Sequence, residues 1–221
     1  MIQVILCDDH ALIRRGIRDT LADAADIQVV GEAGDYGELR ALLRGLATVG
    51  ESGHATRCDV LVLDINLPGR SGLDVLHVLK DEGSPVKVLV VSMYPEDQYA
   101  IRALRAGAYG YVNKGGDPQL IVQAVRTVAQ GRKYVTPEIA QMLVESLTTP
   151  VPEHAHDKLS DRELQTLVMI ASGKRLADIA EDLTLSPKTV SVYRARVLEK
   201  LGLQNNSELT VYAIRNGLVG S

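Results

Sequence analysis

Asp8, Asp9, Asp64, Ser92 and Lys114 are the side chains of this sequence best suited to chemistry. Each stands at the end of a short apolar run. Asp8 and Asp9 follow QVILC, Asp64 follows VLVL, Ser92 closes KVLVVS and Lys114 closes GYVNK. Such runs read as buried strands. Where strands alternate with helices, right-handed crossovers build a parallel sheet whose carboxyl strand ends share one edge, and ligands bind there. Residues far apart in sequence then meet in one pocket. Crowded carboxylates repel one another, and a divalent cation relieves the repulsion. Mg2+ suits this set, because it takes one or two carboxylates together with water and phosphate oxygens. In that setting Asp64 is a nucleophile able to form an aspartyl phosphate. Lys114 neutralises phosphoryl oxygens and the Ser92 hydroxyl hydrogen-bonds to one of them.

A second cluster lies between Ser186 and Gln204, where four basic residues (Lys188, Arg194, Arg196 and Lys200) stand against one acidic residue. Val190, Tyr193, Val197 and Leu201 recur at helical spacing and face a core. Lys188, Ser191, Val192, Ala195 and Arg196 are left on the outer faces. A short helix, a tight turn at Thr184-Leu185 and a helix capped by Ser186 with Pro187 at its first position suggest a helix-turn-helix that reads double-stranded DNA. The expected contact residues are Lys188, Thr189, Ser191, Val192, Arg194, Ala195, Arg196 and Lys200. A four-helix protein-interaction module with a solvated basic face is the competing reading.

The elements that position these residues follow from periodicity. Strands are predicted at Gln3–Cys7, Ile27–Ala33, Val60–Asp64, Lys87–Ser92 and Gly110–Asn113. Helices are predicted at Ala11–Ala24, Asp35–Leu46, Gly72–Lys80, Gln98–Ala106 and Pro118–Gln130. Five such units make an α/β, doubly wound, five-stranded parallel domain of flavodoxin-like type. The stretch TVGESGHATRC reads as a surface loop, with His54 solvated in it. One more helix covers Pro137–Leu147, and TTPVPEHAHDK then breaks every periodicity and reads as a linker. A metal role for His154 and His156 is not expected. From Lys158 onward the strand signals vanish and four short helices follow. The first is capped by Ser160 with Glu163 three residues on, and the others are Leu176–Leu183, Pro187–Leu201 and Asn206–Asn216.

Composition agrees with two modest domains: 221 residues, 46% hydrophobic, with Tyr supplying every aromatic ring. The net charge of −4 belongs to the first part, since residues 150–221 carry nine basic and nine acidic side chains. Cys7 and Cys58 form no metal or redox pattern. The sequence shows no secretory leader and no apolar run of about 18 residues. A cytoplasmic protein with no membrane role is expected.

Residues 1 to about 130 resemble a response-regulator receiver domain. The resemblance rests on Asp8-Asp9, the run Asp64-Ile-Asn-Leu-Pro-Gly69, Ser92, and Lys114 with Tyr111 three positions before it. It implies Asp64 as phosphoacceptor, with Asp8, Asp9, Asp64 and the Asn66 backbone carbonyl around Mg2+. It also implies Ser92 and Tyr111 as a switch pair, and Asn66 and Tyr94 side chains that flank the site. LSDRELQTLVMIASGKRLADIAEDLTLSPKTVSVYRARVLEKLGLQNNSEL resembles the LuxR-type helix-turn-helix over its full length, with Ser186, Thr189, Val190 and Lys200-Leu201-Gly202 matching well. Tyr193, Ser191 and Ala195 depart from residues common in relatives, so a different DNA preference is expected. Together the two parts resemble the NarL/FixJ subfamily, with residues 1–131 as receiver, 132–157 as helix and linker, and 158–221 as DNA-binding domain. The resemblance implies a histidine kinase as phosphate source, paired DNA half-sites, a homodimer when phosphorylated, and no enzymatic activity beyond self-phosphotransfer and slow self-dephosphorylation. A signalling adaptor with a protein-binding last domain and a phosphohydrolase with an Asp nucleophile are the rivals.

Overall fold

The computed structural model describes residues 1–47, 57–94, 96–148 and 154–219. The loop read around His54 and the prolines of the linker lie outside the described residues. The chain divides into two compact units, Met1–Glu145 and Ser146–Ser221.

In the first unit, β1 (Ile2–Cys7), β2 (Ile27–Ala33), β3 (Val60–Leu63), β4 (Lys87–Ser92) and β5 (Gly110–Asn113) form one parallel sheet in the order β2-β1-β3-β4-β5. The intervening helices are α1 (Ala11–Ala22), α2 (Tyr36–Ala47), α3 (Gly72–Asp81), α4 (Glu96–Ala106) and α5 (Gln119–Ala129). Successive strand residues point to opposite faces. Val4, Leu6, Val60, Val62, Leu89 and Val91 therefore pack with Ile17 and Leu21 of α1 and Ile121, Val125 and Val128 of α5. Ile5, Leu61, Leu63, Val88 and Val90 are buried on the other side. The strand order reverses between β1 and β3, which places a crevice at their carboxyl ends. Asp8 and Asp64 follow those two strands.

The sequence boundaries shift at helix ends, for local reasons. Helix α1 stops at Ala22, because the Ala24 amide turns back to the Leu21 carbonyl. Helix α2 starts at Tyr36, and Asp35 Oδ1 accepts from the Glu38 amide. Helix α4 begins at Glu96, two residues before the expected start. Beyond α5, the Tyr134 amide donates to the Tyr109 carbonyl and Tyr134 bridges Gly110, so this return segment lies along β5. Only glycine fits at position 110, because a Cβ there would lie 2.8 Å from the Tyr134 carbonyl oxygen. Helix α6 (Pro137–Thr148) follows.

The second unit is helical throughout its described residues: a 3₁₀ turn at Ala155–Lys158, then α7 (Asp161–Ala171), α8 (Leu176–Asp182), α9 (Pro187–Leu201) and α10 (Asn206–Arg215). The turn was read from sequence as irregular linker. It is held by reciprocal bonds between His154 and Asp157 and by the Tyr212 hydroxyl, which accepts from the His156 amide. The capping box at Ser160 and Glu163 is present, with both reciprocal bonds.

Candidate phosphoacceptor pocket and helix-turn-helix

Main-chain pairing runs past the strands and fixes the pocket. The Asp8 amide donates to the Ala33 carbonyl, the Asp64 amide to Cys7 and the Lys114 amide to Ser92. Each functional residue is thus tied to the neighbouring strand, and its side chain is delivered to the shared edge. The Lys114 ammonium lies 2.7 Å from Asp8 Oδ2 and 2.7 Å from Asp64 Oδ2, and all three side chains are about 95% buried. Burial pushes the Asp64 carboxyl above its ordinary value and the Asp8 charge adds to that, while Lys114 pulls in the opposite direction. One ammonium between three carboxylates leaves the pocket short of positive charge. Asp64 Oδ1 is buried without a hydrogen-bond partner, and so is the side-chain oxygen of Asn66. Buried carboxylate oxygens left unpaired are costly. Hard oxygen donors in this number fit Mg2+.

Asp8 Oδ1 accepts from the His10 amide, so that part of Asp8 also helps to start α1. Ser92 is buried, and its Oγ accepts from the Tyr94 amide. Tyr111 is fully buried with its hydroxyl donating to the Tyr94 carbonyl at 2.7 Å, and burial pushes that hydroxyl far above the usual range. Asn113 Nδ2 donates to the same carbonyl. The backbone after β4 is therefore bonded to both Ser92 and Tyr111.

Gly72 sets the position of the Asp64 main chain. A Cβ at Gly72 would lie 2.1 Å from the Asp64 carbonyl oxygen, so the start of α3 seats directly on that peptide. Gly72→Ala is expected to destabilise the first unit by about 1–3 kcal/mol through overpacking and to slow labelling of Asp64 by a phosphodonor. Urea midpoints and labelling rates check both effects; an unchanged midpoint would contradict the close approach.

In the second unit, the turn between α8 and α9 places Thr184 at φ 52°, the one non-glycine residue with positive φ among those described. The Leu185 amide returns to the Ala180 carbonyl. Ser186 Oγ accepts from the Thr189 amide and meets the Thr189 hydroxyl at 2.8 Å, with Pro187 at the first helical position. Val190 and Val197 are buried, and Lys188, Ser191, Val192, Ala195 and Arg196 are exposed. This fold offers an open helix face with two exposed cationic side chains.

A family model described as "Response regulator receiver domain" matches residues 4–126 of this chain, and one described as "Bacterial regulatory proteins, luxR family" matches residues 157–213. The response regulator GacA of Pseudomonas aeruginosa is 39% identical over 220 residues, covering 99% of this chain and 98% of that protein. The chain belongs to the response-regulator family. The response regulator UvrY of Escherichia coli K12 is 38% identical over 219 residues, covering 99% and 96%. Among solved structures, RcsB of Salmonella enterica serovar Typhimurium, bound to promoter rprA in the presence of a phosphomimetic, aligns with TM-score 0.61 and 26% identity. It covers 96% of this chain and 97% of that one.

In this response regulator the fold brings Asp8, Asp9, Asp64 and Lys114 together, with Ser92 and Tyr111 linked through Tyr94. Two cations grouped by sequence with the exposed helix face have partners inside the unit. Lys200 Nζ lies 2.6 Å from Glu163 Oε2, and Arg194 Nε donates to Asn206 Oδ1 at 2.6 Å. Burial alone would raise the Glu163 carboxyl, but Lys200 and the Ser160 amide outweigh it and hold it below its ordinary value. Sequence reasoning passed over His10, whose Nδ1 lies 2.7 Å from Asp9 Oδ1. The adjacency of His10 to Asp8-Asp9 at a strand end was the available signal.

Proposed function

We propose that the chain stores a phosphoryl group on Asp64 and reports it through DNA binding by its LuxR-type unit. The observation that carries this reading is the Lys114 ammonium shared at 2.7 Å between Asp8 and Asp64, beside an Asp64 oxygen with no hydrogen-bond partner. Asp64 attacks the phosphorus of a phosphohistidine on a histidine kinase, or of a small phosphodonor. The bond from phosphorus to the donor breaks as the bond to Asp64 forms. Asp8, Asp9 and Asp64, with the Asn66 carbonyl, would hold Mg2+, which supplies positive charge against the phosphoryl oxygens. Lys114 and the Ser92 hydroxyl turn to the new phosphoryl oxygens. The Tyr94 amide then loses its Ser92 partner, and the Tyr111 hydroxyl follows the displaced Tyr94 carbonyl. The change biases the chain toward a homodimer whose two α9 helices reach paired half-sites. The protein works in the cytoplasm as a signalling component, and its chemistry is limited to its own phosphotransfer and hydrolysis.

The DNA face is assigned to Lys188, Thr189, Ser191, Val192, Ala195 and Arg196, with Arg194 and Lys200 at its margin. Selecting genomic fragments on the phosphorylated protein tests the output directly. Lys188→Ala is expected to weaken binding about uniformly across sequences and to reduce the slope of log affinity against log salt by about 1. Arg196→Ala is expected to weaken binding as well. Binding that ignores salt and both substitutions would favour a protein-binding adaptor.

A further inference from the structure

We infer that Glu96 and Thr136 couple the phosphoacceptor pocket to α6, the helix across which the first unit ends. This coupling rests on the reading that phosphorylation of Asp64 displaces the Tyr94 backbone, and it gives that displacement a route toward the second unit.

Glu96 opens α4 two residues after Tyr94, and Thr136 stands directly before Pro137, the first residue of α6. They are 40 positions apart in sequence, yet the Thr136 hydroxyl donates to Glu96 Oε2 at 3.0 Å. The same hydroxyl oxygen accepts from the Ile139 amide at 3.4 Å, as the side chain of a helix-capping residue does. One hydroxyl thus spends its proton on α4 and a lone pair on α6. A carboxylate acceptor makes the bond to α4 charge-assisted, stronger than one between neutral groups. Both residues are half-buried, so water competes less than at an open surface.

The surroundings leave this pair little slack. Before Thr136 the chain is fixed on β5, where the Tyr134 amide donates to the Tyr109 carbonyl. Burial raises the Tyr134 hydroxyl above its ordinary value and the Glu96 charge adds to that, which marks the carboxylate as a neighbour of this segment. After Thr136, Ile139 is fully buried. On the α4 side, Tyr94 and Tyr99 flank Glu96 in sequence and stack, with ring centroids 4.7 Å apart and planes 25° from parallel. The start of α4 is therefore tied to the Tyr94 backbone, whose amide is bonded to Ser92 and whose carbonyl is bonded to Tyr111. When Ser92 turns to the phosphoryl group and the Tyr94 carbonyl shifts, Glu96 is carried along and the Thr136 hydroxyl goes with it. The first turn of α6 is thereby biased by the state of Asp64.

The test uses the full chain with Mg2+, beryllofluoride as phosphoryl mimic, and a DNA fragment selected by the phosphorylated wild-type protein. The quantity read is the ratio of DNA affinities with and without the mimic. Glu96→Ala leaves the α6 cap in place and Thr136→Val removes it, yet each is expected to cut that ratio at least about threefold. Thr136→Ser keeps the hydroxyl and Glu96→Gln keeps an acceptor oxygen, so both should retain most of it. The two residues act as one unit, and the double variant Glu96→Ala with Thr136→Val should lose no more than the worse single variant. Without DNA, labelling of Asp64 by a phosphodonor should stay at the wild-type rate in every variant. An unchanged ratio in Glu96→Ala or Thr136→Val, a loss in Thr136→Ser equal to that in Thr136→Val, losses that multiply in the double variant, or labelling that falls in step with the ratio would each overturn the inference. A wild-type protein whose DNA affinity ignores the mimic would instead overturn the reading on which it rests.

Discussion

Asp64→Asn is expected to abolish labelling by a phosphodonor in Mg2+ and, at the same time, to make the protein more stable when divalent cations are removed. The first effect is complete loss, because an amide oxygen lacks the charge to attack phosphorus. Normal labelling of the variant would place the phosphoacceptor elsewhere. The second effect comes from the pocket itself. Asp64 is nearly fully buried beside Asp8, and its carboxyl is held above the ordinary value of 3.8. A site built to attract a cation and a phosphoryl group is strained without them.

The pH dependence of that gain has a definite sign. Below the ordinary value, Asp64 is protonated in both the folded and the unfolded chain, and its burial adds no ionisation penalty. As pH rises through the window between the ordinary value and the raised folded value, the unfolded chain releases its proton first. Stability falls across that window by the linkage relation and stays lowered above it. Asn carries no charge at any of these pH values. The advantage of Asp64→Asn is therefore largest at neutral pH and shrinks toward acid. Urea midpoints of both proteins in EDTA, taken from acid to neutral pH, measure it. An advantage that grew toward acid would contradict the raised Asp64 carboxyl.

The pocket was legible in the sequence because strand ends need no knowledge of strand order to share an edge. Asp8, Asp64, Ser92 and Lys114 each close an apolar run, and a parallel sheet collects such ends whatever their sequence separation. The order β2-β1-β3-β4-β5 was not legible in the spacing itself. The bridge from Lys114 to both Asp8 and Asp64 depends on that order, because it spans the ends of three strands. His10 was passed over because a single half-exposed imidazole in a polar stretch reads as solvated. Its place beside Asp9 comes from how α1 begins. Gly72 reads only as a helix start, and the close approach to the Asp64 carbonyl is a matter of tertiary packing. Lys200 shows a further limit. The sequence counts it among the basic residues expected to contact DNA, while packing of α7 on α9 brings Glu163 within 2.6 Å of it.

Lys114→Ala is expected to produce the largest loss of stability of any substitution in the pocket. Its ammonium is the only cationic group among the described residues within ion-pairing distance of Asp64, and it is as buried as the carboxylates it joins. Removing one partner of such a buried set leaves charge without compensation and costs about 3–5 kcal/mol. Mg2+ binds the folded pocket and not the unfolded chain, so added Mg2+ should return part of the loss through mass action. Two contrasts separate this account from simple loss of packing. In the background of Asp64→Asn one buried charge is already gone, so Lys114→Ala should cost markedly less there. Lys114→Met keeps most of the stem but no charge, and should remain nearly as unstable as Lys114→Ala in EDTA. Urea denaturation of the single and double variants, with and without Mg2+, gives the coupling energy directly. Equal losses in both backgrounds would mean that Lys114 acts by filling space, and the charge balance assigned to the pocket would be wrong.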